Sequence, residues 1–196
     1  MDDPQQLDAS PPPTEHHHRF NQVMFRGEAW DLSHLDSFST KVTPLPDVEM
    51  TLVVIFSCHC FSHSLRWDER ELAEIPADEI YDDGKERRVL DPLRYDMSRA
   101  HLKGIITGMP GQHIIVANAE RCNFMTWEML AADGTTQTYA VFFEVEKDRA
   151  RKRRMILRVQ SAYVLDQGLH KRQAQAKKVK WNTLPRAAYE GKKIKA

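Results

Sequence analysis

The sequence predicts an α+β fold, a mostly antiparallel sheet of about four to five strands with one or two packed helices. A disordered N-terminus and a basic C-terminal helix flank that unit in this reading. Three stretches carry it. Residues 139–166, YAVFFEVEKDRARKRRMILRVQSAYVLD, set two runs of β-branched and aromatic residues around a basic linker, the pattern of an antiparallel hairpin. Residues 50–61, MTLVVIFSCHCF, form a nearly unbroken apolar run, the mark of a strand buried on both faces. Residues 91–108, DPLRYDMSRAHLKGIITG, carry helix start and stop signals.

Taken in order, residues 1–19 hold Pro11-Pro12-Pro13, acidic residues and His16-His17-His18. Such a composition buries too little apolar surface to order itself, so a disordered leader is expected. From Phe20 to Phe38 the aromatic residues have no clean period, and Trp30, Leu32 and Leu35 suit a short helical turn. Pro44 and Pro46 are expected to end whatever precedes them. The apolar run from Met50 to Phe61 follows as a central strand. Leu65 to Val89 is polar and acidic, with an Asp82-Asp83-Gly84 turn signal, and reads as an excursion containing a short hairpin.

Asp91 then caps a helix with Pro92 in its first turn, and Gly108 followed by Pro110 stops it. His113 to Ala119 and Asn123 to Leu130 read as strands, the second closed by Asp133-Gly134. The hairpin supplies the last two strands. Beyond Gly168, LHKRQAQAKKVKW has the alanine, glutamine and lysine content of a helix. The expected units are a leader at 1–19, one α+β domain at 20–168 and a basic helical tail at 169–196.

Within the hairpin, side chains alternate across each strand. Tyr139, Val141, Phe143 and Val145 fall on one face, and Met155, Leu157, Val159, Ser161 and Tyr163 on the matching face. The register that joins the two sets puts Phe143 opposite Val159 and Glu144 opposite Arg158. The other face then carries Glu144, Arg158 and Gln160.

Charge is divided along the chain. Residues 1–148 hold 13 Lys and Arg against 26 Asp and Glu, a net of −13, and residues 149–196 hold 15 against 2, a net of +13. A basic end of this kind meets an anionic partner, folds onto the acidic body or is simply solvated. Three cysteines, Cys58, Cys60 and Cys122, do not make a disulfide framework. No segment is long enough to span a bilayer and no apolar signal core opens the chain, so a cytoplasmic location is expected. No nucleophile elbow, Walker loop, dinucleotide-binding glycine pattern or H-E-x-x-H motif occurs.

Several residue sets could carry chemistry. Glu144 and Arg158 can form a structural cross-strand pair. They can also cleave a phosphodiester, the carboxylate taking a ribose 2′-hydroxyl proton and the guanidinium holding the phosphate. His59, His101, His113 and His170 are candidates for the proton donor. Cys58, Cys60 and His63 could ligate zinc, with Cys122 or His101 as a fourth ligand, or the cysteines could be buried core residues. Arg94 and Tyr95, with Ser98 and His101, sit near the start of the expected helix. Ser161 and Tyr163 could present hydroxyls at a strand end. Arg149, Arg151, Lys152, Arg153 and Arg154 in the hairpin loop, with Lys171, Arg172, Lys177, Lys178 and Lys180, make an RNA-tracking surface with Trp181 and Tyr189.

The runs YAVFFEVE (139–146) and RMILRVQSAYVLD (154–166), set before a basic tail, resemble the barnase–EndoU–colicin–RelE class of small nucleases over roughly Asp91 to Trp181. FSCHCF (56–61) and LDPLRYDMS (90–98) are also similar to an uncharacterised bacterial and prophage family. The nuclease resemblance implies a metal-independent ribonuclease, of toxin type, with RNA as substrate and a cognate antitoxin or immunity protein as partner. It implies Glu144 as base and Arg158 as phosphate ligand, with Arg158 and Tyr163 serving a RelE-like site. The alternatives are a non-catalytic nucleic-acid- or protein-binding module of a mobile element and a zinc-stabilised domain.

Overall fold

The computed structural model describes residues 19–118, 123–132 and 135–194. The leader expected at 1–19 lies outside them apart from Arg19, as do Cys122 and the Asp133-Gly134 turn. The first described strands, β1 (Val23–Phe25) and β2 (Glu28–Trp30), pair as a tight hairpin. Its turn needs positive φ at Arg26 and Gly27, and both adopt it, at 51° and 81°. β3 (Phe38–Leu45) and β4 (Val48–Phe56) form the next hairpin. Pro44 does not end the chain's extended run as expected. It lies inside β3, an edge strand whose register shifts between Val42 and Leu45, which is where a residue without an N–H is tolerated.

β4 stops at Phe56, short of the expected Phe61, and Cys58–Cys60 curls into a 3-10 turn. The polar excursion builds a separate three-stranded sheet. Its strands are β5 (Ser62–Ser64), β6 (Ile80–Asp82) and β7 (Arg87–Leu90), in the order β5-β7-β6. The predicted helix begins as α1 (Pro92–Met97), passes through a π-helical segment (Ser98–Leu102) and ends as α2 (Lys103–Gly108). Asp91 caps it through a bond from the Arg94 backbone N–H.

β8 (His113–Asn118), β9 (Asn123–Ala132), β10 (Thr135–Lys147) and β11 (Arg154–Leu165) follow. The segment read as a basic helix is helical only in α3 (Lys171–Ala174). It then forms β12 (Lys178–Lys180), and α4 (Thr183–Glu190) comes after. The large sheet thus has seven strands, ordered β12-β8-β9-β10-β11-β4-β3, with β11 and β4 parallel and every other pair antiparallel. Neighbours supply the missing ladder bonds, which is why Lys178–Lys180 extends against β8 despite its helix-forming composition.

One face of the sheet buries Tyr139, Val141, Phe143, Met155, Leu157 and Val159 beneath Leu102, Ile105, Ile106, Trp181 and Leu184. The other face carries a smaller cluster of Ile115, Met125 and Ala140, against which Phe142, Leu165 and Leu169 pack. Burial of these apolar side chains is the main stabilising term, about 1.5–3 kcal/mol for each large one.

Candidate functional site

The expected register holds at the hairpin's outer half. Glu144 pairs with Arg158 and Phe143 with Val159. Two residues later it changes, because Phe142 pairs with Ser161 and Gln160 is inserted between. An inserted residue reverses the facing of everything beyond it. Ala162 is therefore the core residue, fully buried, and Ser161 and Tyr163 turn to the opposite face, where Tyr163 stacks on Phe142 at 5.6 Å. The reading that placed Ser161 and Tyr163 on the core face is corrected by this bulge. The Gln160 carbonyl accepts a bond from Ser57 Oγ at 2.6 Å, so the turn after β4 clasps the bulge.

That geometry opens a cleft of about 1110 Å³ past the carboxyl ends of the parallel pair β4 and β11. His59, His63, Arg88, Arg94, Ser161 and Tyr163 line it, joined by His170. His59 Nε2 bonds to the Glu86 carboxylate at 2.8 Å. Burial lowers the His59 pKa below the ordinary histidine value, outweighing the Glu86 bond. Glu86 is itself held below its usual range, first by the His59 bond and then by the Arg88 charge. Arg88 is almost fully buried and donates to Ser62 Oγ, the Ser62 carbonyl and Glu86.

Arg94 is fixed from three sides. Its Nη1 donates to the carbonyls of His59 (3.1 Å) and Ser62 (3.0 Å), its Nε faces Asp91 Oδ2 at 3.3 Å, and its plane lies over the Tyr163 ring. Burial lowers its pKa from the ordinary arginine value, against the opposing charge of Asp91. His63 sits between two carboxylates, Nδ1 to Asp91 at 3.2 Å and Nε2 to Asp68 at 3.3 Å. Asp68 is clamped by Arg70, whose bonds hold its carboxyl far below the usual range. Burial pushes the Asp91 carboxyl upward, but the His63 bond, the Arg94 N–H and the Arg94 charge together bring it below its ordinary value.

The remaining candidates lie elsewhere. Glu144 Oε1 is 3.2 Å from Arg158 Nε on the outer sheet face, and both are partly exposed. Neither lines the histidine cleft. Glu144 instead borders a cleft of about 850 Å³ between the hairpin turn and α4, with Arg149, Arg151, Lys152, Lys192 and Lys193. Arg154 pairs with Asp148, and Arg153 occupies the turn with φ of 58°. Lys178 and Lys180 lie exposed on edge strand β12, Lys171 opens α3, and Lys177 precedes β12. The Arg172 side chain lies outside the described set. His101 falls in the π-helical segment, away from the cleft lining. Tyr95 is buried against Trp30 and Ser98 bonds to His34 Nε2 at 2.9 Å, so that pair serves packing rather than a phosphate.

Cys58, Cys60 and His63 do not converge. Cys58 Sγ donates to Asp83 at 3.6 Å, Cys60 is fully buried, and both His63 nitrogens face aspartates. Burial pushes both thiols up to about 12, which keeps them protonated and poorly nucleophilic near neutral pH. Among the described residues no group of three or more His, Cys, Asp or Glu is arranged to hold a metal ion. No helix there is long and apolar enough to cross a membrane.

Sequence reasoning missed Ser57, Glu86, Arg88 and Asp91 as parts of the site. Asp91 was legible only as a cap, and the Glu86–Arg88 pair sits in a polar stretch with no motif. A family model described as the YjaZ family matches residues 21–189. No curated protein matches the chain, and no solved structure does.

Proposed function

This chain belongs to the YjaZ family, and we propose that it is a metal-independent endoribonuclease whose reaction takes place in the histidine cleft. The supporting observation is that His59, Arg94, Ser161 and Tyr163, drawn from three distant segments, line one cleft. In this reading His59, oriented by Glu86, takes the proton from the ribose 2′-hydroxyl. The oxygen attacks the adjacent phosphorus and the bond to the 5′-oxygen breaks, leaving a cyclic phosphate. Arg94 and the Ser161 hydroxyl hold the phosphate oxygens as charge grows there. His170 returns a proton to the departing 5′-oxygen.

The test is incubation of a labelled single-stranded RNA with purified protein in excess chelator, with product termini read by mass spectrometry. Wild type should leave 2′,3′-cyclic ends, and His59→Ala should lower the rate about 10²-fold or more. Equal cleavage by the variant, or loss of all activity in chelator, sinks the proposal.

A second reading is a non-catalytic binding module. The clustering of Arg149, Arg151, Lys152, Lys192 and Lys193 around the other cleft favours it. It expects salt-sensitive binding of nucleic acid without cleavage.

A further inference from the structure

Trp67 is the most exposed of the large apolar side chains identified as exposed, at 68%. It stands in the lining of the histidine cleft, and the Arg66 guanidinium lies 4.6 Å from its ring centroid. The loop that presents it is not loose. The next residue, Asp68, accepts bonds from the Arg70 backbone, the Arg70 side chain and His63. His63 in turn bonds Asp91, which pairs with Arg94 on the cleft wall. A continuous chain of polar contacts therefore ties Asp68, the residue beside Trp67, to Arg94 on the cleft wall.

An indole open to water on an anchored segment, with a cation beside it, is suited to one chemical partner above others. Unpaired nucleobases stack on aromatic rings whatever their identity, and a neighbouring arginine adds attraction to ring and phosphate. Bases in a duplex already stack on each other and offer no free face there.

We infer that Trp67 is the stacking platform for an unpaired base, so that the cleft takes single-stranded RNA and rejects duplex. The inference rests on the reading of that cleft as an RNA site. It adds the substrate class and a specificity-determining residue. Trp67 touches the base and not the reacting atoms, so it acts on binding.

The experiment uses a 2′-O-methyl single-stranded decanucleotide, which lacks the attacking hydroxyl and reports binding without cleavage. Affinity is measured by fluorescence anisotropy with the full chain. Trp67→Ala should bind about tenfold more weakly, within the range of one lost base stack. Trp67→Phe, which keeps a flat ring, should retain most of the affinity. A duplex of the same sequence should show no dependence on Trp67. Equal single-strand affinity in wild type and Trp67→Ala overturns the inference, as does an equal loss for the duplex. Trp67-dependent binding in a protein that cleaves nothing leaves this inference standing and removes the nuclease proposal. Cleavage with Trp67-independent binding does the reverse.

Discussion

The Arg94 guanidinium lies 4.7 Å from the centroid of the Tyr163 ring, and through that stack the first turn of α1 holds the far end of β11. Tyr163→Phe keeps the ring and should leave thermal stability nearly unchanged. Tyr163→Ala loses that contact, about 0.5–1 kcal/mol, together with the ring stack on Phe142, about 0.5–1.5 kcal/mol. Arg94→Lys keeps the charge but loses the planar fork, and should lower RNA cleavage at least about tenfold. Thermal melts and cleavage rates on the three variants check this. An Arg94→Lys protein as active as wild type contradicts the phosphate-holding role.

Acid should weaken the fold through two histidines. Burial lowers the pKa of His34 and of His59 from the model-peptide value of 6.5. The unfolded chain then binds more protons than the native one between that value and the lowered native values, so stability falls as pH drops through this window. Above it the two groups are neutral in both states and contribute no slope. His34→Gln, which can keep the bond to Ser98 without titrating, should flatten the fall. Denaturant melts from pH 8 to pH 5 measure the slope, and an unchanged slope in the variant rules His34 out as its source.

Gln160 is the extra residue in the β11 bulge. Deleting this one residue removes the bulge and leaves strict alternation, with Val159 and Ala162 still on the core face and Ser161 and Tyr163 still on the cleft face. The deletion loses the bond from Ser57 Oγ to the Gln160 carbonyl, about 0.5–1.5 kcal/mol, and should otherwise leave the fold in place. Circular dichroism melts of the deletion test this. A loss of several kcal/mol would contradict this reading of Gln160 as an inserted residue.

The Glu144–Arg158 pair should behave as a structural contact. Arg158 is 42% exposed, so solvent screening limits the pair, and its coupling in a double-mutant cycle should stay under about 1 kcal/mol. Glu144→Gln should cleave RNA at the wild-type rate. A hundredfold loss in that variant would return the chemistry to the outer sheet face.

Much of the fold was readable from residue pattern. The register of the outer half of β10–β11, the capped helix and the Asp82-Asp83-Gly84 hairpin all follow from alternation, capping and turn chemistry. The bulge did leave a trace. The apolar positions run 155, 157, 159 and then 162 and 164, a change of parity that alternation alone would not produce. β12 left almost none, since three residues with two lysines carry little periodic signal. The cleft was unreadable as a unit because His59, Arg94 and Tyr163 meet only after β11 lies beside β4. Individual residues could be nominated, yet their gathering depends on that pairing.

The parallel pairing of β4 with β11 also governs how the protein is made. β4 joins β3 as soon as both are synthesised, but its other edge waits for β11, whose Arg154 comes 103 residues after its partner Thr51. Until then Leu52, Val54 and Phe56 have no neighbour along that edge, and contacts of such long sequence separation form slowly. The nascent chain is consequently open to edge-to-edge aggregation until β11 arrives, and shielding by a chaperone matters most in that interval.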